Sequence, residues 1–90
     1  MKKQLNRSVV CADGFRMSVQ ANETAYCEPR DNVGPYTEVE IGFPSQEEPM
    51  LKQWAEDPQR PTETVYAWVP RQVVLNVIAK HGGMVDGELP

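Results

Sequence analysis

A short segment rich in tyrosine and arginine carries the side chains best suited to hold a ligand. It reads AYCEPR over residues 25–30 and continues through DNVGPY to Tyr36. A guanidinium group binds phosphate or carboxylate through two parallel hydrogen bonds and also stacks on aromatic faces. Arg30, with Tyr26 and Tyr36 on either side, therefore predicts a clamp for a nucleotide or another planar, anionic ligand.

Two further arginines and an alternative interpretation accompany this prediction. If the loop is a clamp, Arg16 and Arg71 would bind additional phosphates. In the alternative, which is the interpretation that we favour for the loop itself, Arg30 pairs with Glu38 or Glu40 and fixes the loop, the tyrosines fill its underside, and the arginine is shared with a ligand. Glu38 and Glu40 lie about 7 Å apart on one strand face. Such carboxylates more often meet a basic residue on a neighbouring strand, here Arg16, than perform acid–base chemistry.

Nucleophilic catalysis is the weakest of the chemical interpretations. A hydrolase would need the Cys27 thiol to meet His81, the only histidine of the chain. No glycine-rich turn or triad motif accompanies Cys27, and both Cys27 and Cys11 fit small buried thiols. His81 fits packing and capping at a helix C-terminus. We therefore predict no catalytic residue, no metal site and no cofactor.

The charge of the chain is unevenly distributed. The formal net charge is −4; residues 1–30 carry five basic and three acidic side chains, and residues 31–58 carry one basic and seven acidic. An acidic protein is a poor ligand for duplex nucleic acid, because binding there depends on neutralising phosphates. Glu47, Glu48 and Glu56 are instead candidates for binding a basic protein partner.

Turn and alternation signals place these residues on four strands. Asp13-Gly14 separates two β-prone runs, SVVC and FRMSVQ, which predicts a hairpin. YTEVEIGF alternates as a half-buried strand does. The second strand is expected to bury Phe15, Met17 and Val19. The fourth strand, VYAWV, is expected to place Val65, Ala67 and Val69 on one side and Tyr66 and Trp68 on the other. Left uncovered, the Tyr66–Trp68 side would form an oligomer interface or a ligand floor.

Two helices follow the third and fourth strands. Ser45 and Glu48 make a capping-box pattern ahead of the first. The second, PRQVVLNVIAKHGG, starts at Pro70 and has Gly82-Gly83 as a left-handed C-cap. The order β-β-β-α-β-α is typical of an α+β fold with a mostly antiparallel four-stranded sheet and both helices packed on one face.

Length and hydropathy predict a single domain over residues 1–90, with flexible ends at 1–7 and 84–90; one more short strand at Met84-Val85 is the alternative for the second end. No apolar run is long enough for a membrane span, and the N-terminus lacks the apolar core of a secretory signal. We therefore expect a cytoplasmic protein with free thiols and no membrane partner. Because a chain of this size buries a small core, we also expect a homo-oligomer.

The pattern VCADGFRMSVQA, YCEPR, GPYTEVEIGFPS, PTETVYAWVP and KHGG resembles a group of small proteins encoded by tailed phages and prophages of proteobacteria. The resemblance runs from residue 9 to residue 83 and includes no motif of known chemistry, so it implies no site residue. It implies a context, because small, acidic phage proteins without catalytic motifs often act against host defence by binding.

These observations predict a non-enzymatic phage accessory protein that antagonises bacterial antiviral defence in the host cytoplasm. It would sequester a small nucleotide-type signal through its arginines and tyrosines, or block a bacterial defence protein through its acidic residues. The alternative is a phage structural or assembly protein that acts through homo-oligomerisation.

Overall fold

The computed structural model describes residues 4–90, which form an α+β fold around one five-stranded antiparallel sheet. The strands are β1 (Val9–Cys11), β2 (Arg16–Gln20), β3 (Glu38–Gly42), β4 (Val65–Pro70) and β5 (Met84–Asp86), and their order in the sheet is β4-β3-β2-β1-β5. A 3₁₀ helix spans Pro49–Trp54, and helix α1 spans Arg71–Lys80. No helix in the described part of the chain is long and apolar enough to cross a membrane.

The predicted hairpin between β1 and β2 is confirmed. Val9 lies opposite Met17. In the turn, Asp13 Oδ1 accepts a hydrogen bond from the Phe15 backbone N–H at 2.9 Å. Gly14 has φ +93°, a left-handed conformation that glycine adopts without steric cost. The turn holds the Asp13 carboxylate at one end of the sheet.

One face of the sheet, the inner face, is buried beneath the helices. Phe15, Met17 and Val19 are buried as the alternation predicts. Helix α1 adds its own buried stripe at turn spacing: Val74, Val77 and Ile78. The opposite, outer face carries polar side chains: Arg16, Ser18, Gln20, Glu38 and Glu40. Any ligand surface on the sheet therefore belongs to the outer face.

The prediction of four strands is wrong by one. Met84–Asp86, expected in a flexible end, pairs with β1 as the fifth strand. The Glu88 backbone N–H donates to the Arg7 carbonyl at 3.2 Å, and Leu89 packs against the core. Of the other predicted flexible end, residues 1–3 lie outside the described residues. A three-residue strand gives too short a sequence pattern to distinguish it from a tail.

The predicted capping box is also wrong. Pro49 opens a 3₁₀ helix, and Glu48 lies immediately before it as the N-cap. The Glu48 carboxylate accepts from the Met50 N–H at 2.9 Å. The Ser45 hydroxyl accepts instead from the Arg16 N–H at 3.0 Å. Because proline fixes its own φ and lacks an N–H, the helix begins at Pro49 and not three residues earlier.

The fourth strand breaks the predicted alternation. Ile41 pairs with Tyr66 and Val39 with Val69, so two residues of β4 oppose the single residue Glu40. This β-bulge inserts one residue and shifts the face of every side chain beyond it. Tyr66 and Val69 are both buried in the core, and Trp68 is exposed.

Candidate functional site

The loop between β2 and β3, residues 21–37, is fixed to the sheet by its backbone. The Glu28 N–H donates to the Glu38 carbonyl at 3.0 Å. The Tyr26 N–H donates to Glu40 Oε1 at 3.0 Å, and the Tyr26 carbonyl accepts from the Trp68 N–H at 3.0 Å. Tyr26 is thus held at both backbone groups by residues of β3 and β4.

These contacts assemble an exposed arginine–aromatic cluster of Tyr26, Arg30 and Trp68. The rings of Tyr26 and Trp68 have centroids 5.3 Å apart and planes inclined by 40°. Arg30 Cζ lies 5.9 Å from the Tyr26 ring centroid, within cation–π range. Tyr26 is 37% and Trp68 43% exposed. Two aromatic faces and a cation therefore meet at one place on the surface.

The backbone at Trp68 is strained. Its φ is +51°, in the left-handed region that large side chains rarely adopt. Such a conformation costs about 1 to 3 kcal/mol and persists where surrounding structure enforces it, most often at functional sites. Here the β-bulge and the hydrogen bond to Tyr26 enforce it. In this conformation the indole ring of Trp68 points away from the core.

Arg30 keeps most of its donor capacity. One terminal nitrogen donates to the Thr24 carbonyl at 3.3 Å, which orients the guanidinium over Tyr26. Within residues 4–90 it makes no ion pair, so the predicted pairing of Arg30 with Glu38 or Glu40 is absent. A guanidinium that is oriented but lacks a counter-ion is ready to bind an anion.

The other predicted ligand residues are not part of the cluster. Tyr36 is only 5% exposed and its hydroxyl donates to the Asp31 carbonyl at 2.9 Å, so it cannot stack on a ligand. Arg71 donates to the carbonyl of Pro90 at 2.8 Å. Arg16 lies at the start of β2, opposite Val10. The antiparallel register places Gln20, not Arg16, opposite Glu40.

Trp68 was expected at a ligand surface only together with Tyr66, as an uncovered side of the fourth strand, and not as a partner of Arg30 and Tyr26. VYAWV is apolar at every position, so the sequence indicates two apolar faces but not which of the two aromatic residues is exposed. What the sequence does not contain is the bulge, which sends Tyr66 inward and Trp68 outward.

A second cluster of polar side chains surrounds two buried residues, His81 and Glu48, and includes two partly exposed ones, Asp13 and Lys80. His81 Nδ1 lies 2.6 Å from Asp13 Oδ2 and His81 Nε2 lies 2.7 Å from Glu48 Oε1. Lys80 Nζ donates to Glu48 Oε2 at 2.9 Å. The imidazole also stacks on Phe15, with centroids 4.1 Å apart. This charge network joins the hairpin turn, the 3₁₀ helix and the end of α1.

The geometry of the network favours the protonated form of His81, because each ring nitrogen faces a carboxylate oxygen. Burial acts to lower the pKa of His81, but the hydrogen bonds and charges of Asp13 and Glu48 outweigh it and raise that pKa above its ordinary value. Burial likewise acts to raise the pKa of Glu48, and the donors Met50 N–H, Lys80 and His81 more than offset it. The pKa of Asp13 is lowered by the Phe15 N–H and then by His81.

The role of this charge network is to stabilise the fold. Both ring nitrogens of His81 face carboxylate oxygens within the fold, so neither is directed toward a substrate or a metal ion. Cys27 lies elsewhere, with Sγ 3.2 Å from the Asn22 carbonyl and 3.3 Å from that of Pro29. The hypothetical Cys27–His81 pair is therefore not formed.

One of the three residues predicted to bind a partner protein does not lie at the surface. Glu48 is 2% exposed and its carboxylate is committed to the charge network, so it is not available to a partner protein. Its position before Pro49 made it an N-cap, and the cap directs its side chain inward. Glu47 and Glu56 remain exposed.

Comparison with known proteins gives no family for this chain. A scan against protein-family models and searches of the curated proteins and of the solved structures found no match. The arginine–aromatic cluster is consequently the feature from which a function can be argued.

Proposed function

We propose that this protein is a non-catalytic binding protein that holds a small nucleotide-type ligand on the arginine–aromatic cluster. The observation that supports this most directly is the meeting of Tyr26, Trp68 and Arg30 at one exposed place. A planar base stacks on aromatic rings, and a guanidinium binds the attached phosphate. The base and the phosphate of a nucleotide thus each have a partner of matching chemistry.

The cluster is organised before any ligand arrives. Two backbone hydrogen bonds hold Tyr26, and the bulge holds Trp68. Side chains that are already ordered lose less conformational entropy on binding, which leaves more of the stacking energy as affinity. Stacking of one base on an aromatic side chain contributes about 1 to 3 kcal/mol.

In the biological setting that we propose, a phage accessory protein sequesters a nucleotide-type signal in the host cytoplasm and so antagonises antiviral defence. Such a role requires tight binding without turnover, in keeping with a cluster that contains stacking and phosphate-binding groups. Blocking a defence protein through acidic residues is less well supported, because Glu48 is buried.

The test combines native mass spectrometry with calorimetric titration. The purified protein is examined intact and after mild denaturation for a released nucleotide, and it is then titrated with nucleoside monophosphates. We expect Arg30→Ala to weaken binding about tenfold or more, since it removes the phosphate ligand. The matched control is Arg60→Ala, which removes an exposed arginine that forms a salt bridge with Glu63 three residues away. Equal affinity in the two variants would refute the proposal.

A second candidate function is self-association in a structural or assembly role. Strand β5 lies at the edge of the sheet, with Met84 41% and Val85 65% exposed. An exposed edge strand is a template for pairing with another chain. Sedimentation of the wild type and of Val85→Lys separates this candidate from the first. Only self-association through β5 predicts that the variant sediments as a smaller species than the wild type.

A further inference from the structure

Glu40 places a carboxylate at the base of the arginine–aromatic cluster. It lies on the outer face of β3, opposite the bulge that carries Trp68. Its Oε1 accepts the Tyr26 N–H at 3.0 Å. Glu40 is half-buried, and no cationic side chain of residues 4–90 forms an ion pair with it.

A half-buried carboxylate with one oxygen engaged and no counter-ion retains acceptor capacity. Each carboxylate oxygen can accept two hydrogen bonds, so Oε2 is available and Oε1 has one position left. Arg30, which lies over the ring of the same Tyr26, is oriented toward that ring and the Thr24 carbonyl. The site thus offers stacking faces, a cation and a hydrogen-bond acceptor.

We infer that Glu40 makes the site selective for guanine nucleotides; this inference rests on the proposed function. The Watson–Crick edge of guanine presents two adjacent donors, the ring N1–H and the exocyclic amino group, which match the two oxygens of one carboxylate. Adenine and cytosine place an acceptor beside their amino group, and that acceptor repels a carboxylate. Uracil flanks its single N–H with two carbonyl groups. Guanine alone satisfies both oxygens.

The discriminating variant is Glu40→Gln. Its amide oxygen can still accept the Tyr26 N–H, so the cluster keeps its support. The amide nitrogen then takes the place of Oε2 and presents donors to the donors of guanine. A site that recognises guanine through Glu40 must therefore lose its preference without losing its stacking surface.

The experiment is calorimetric titration of wild type and Glu40→Gln with GMP, IMP, AMP and UMP. We expect wild type to bind GMP at least about tenfold more tightly than AMP, with IMP between them because it lacks the amino group. Glu40→Gln should bind GMP and AMP with similar affinity. Circular dichroism of the variant checks that the fold is retained.

Three results would overturn the inference, and they bear differently on the proposed function. Equal binding of all four nucleotides by wild type, still sensitive to Arg30→Ala, removes the selectivity and leaves the binding role intact. A GMP preference that survives Glu40→Gln assigns selectivity to another residue. Failure of every nucleotide to bind removes the proposed function together with the inference.

Discussion

At the residue scale, the two tyrosines of the 21–37 loop have opposite roles. Tyr26 contributes an exposed ring that contacts Trp68 and Arg30. Tyr36 contributes a buried ring whose hydroxyl fixes the loop at the Asp31 carbonyl. The backbone of the segment AYCEPR is therefore held to the sheet, while the side chains of Tyr26 and Arg30 face solvent.

Substitution of each tyrosine separates these roles. Tyr26→Ala should weaken nucleotide binding by about fivefold to 150-fold, because it removes a stacking face that contributes about 1 to 3 kcal/mol, and should change the free energy of unfolding little. Tyr36→Phe should lower the free energy of unfolding by about 1 kcal/mol through loss of one hydrogen bond, with binding kept. Urea denaturation and calorimetric titration of both variants measure the two effects. Loss of binding in Tyr36→Phe alone would contradict this assignment.

At the element scale, the bulge in β4 determines which aromatic residue is presented to ligand. It turns Tyr66 and Val69 inward and directs Trp68 to the outer face. It also forces φ +51° on a tryptophan. The bulge thus exposes the Trp68 ring for binding and also lowers the stability of β4 at this position.

The strain at Trp68 predicts an order of stability for two substitutions that both remove the indole. Asparagine tolerates the left-handed conformation, whereas a β-branched residue does not. Trp68→Asn should therefore be more stable than Trp68→Val by about 1 kcal/mol, the reverse of ordinary strand preference. Urea unfolding at equal protein concentration gives the comparison. A more stable valine variant would show that the backbone relaxes at this position.

The charge network predicts a maximum of stability in mildly acidic solution. His81, with its pKa raised above 6.5, contributes stability that is complete below pH 6.5 and is lost as the pH rises through the folded-state pKa. Glu48, with its pKa lowered below 4.5, contributes stability that is present above pH 4.5 and is lost as the pH falls through its folded-state pKa. Asp13, whose pKa is also lowered, acts in the same direction as Glu48.

Urea midpoints measured from pH 3 to pH 9 test this pattern. The wild type should lose stability on both sides of the interval between those two ordinary pKa values. His81→Gln should lose the alkaline part of the dependence, because the titrating group is gone. Glu48→Gln should lower the free energy of unfolding by about 1 to 3 kcal/mol, since the buried His81 loses one of its two carboxylate partners. An unchanged alkaline slope in His81→Gln would exclude His81 as its source.

At the scale of the whole molecule, regular sequence patterns predicted the fold better than the site. The hairpin, the inner face of β2 and helix α1 follow from turn chemistry and periodicity, which are local. The bulge, β5 and the charge network depend on register and on contacts between distant segments. His81 and Glu48 illustrate this, because each seemed to be a local cap and the fold brought them together.

For the same reason, only part of the candidate site could be predicted from the sequence. Arg30 and Tyr26 are close in sequence, and their residue types alone indicated a surface that binds an anion and stacks on a planar group. Trp68 comes from a distant strand and reaches them through the bulge. Tyr36 was wrongly assigned to the ligand surface because sequence proximity to Arg30 does not determine the direction of a side chain.

The measurement that tests the binding role most directly is a nucleotide titration followed by ¹H–¹⁵N NMR. The chain has two indole N–H groups, one on exposed Trp68 and one on Trp54, which packs against the core. We predict that GMP shifts the Trp68 indole resonance and the Tyr26 and Arg30 backbone amides in a saturable manner, while the Trp54 indole stays in place. A titration that leaves the Trp68 indole unshifted, or that shifts only resonances outside the cluster, would contradict the proposed binding surface.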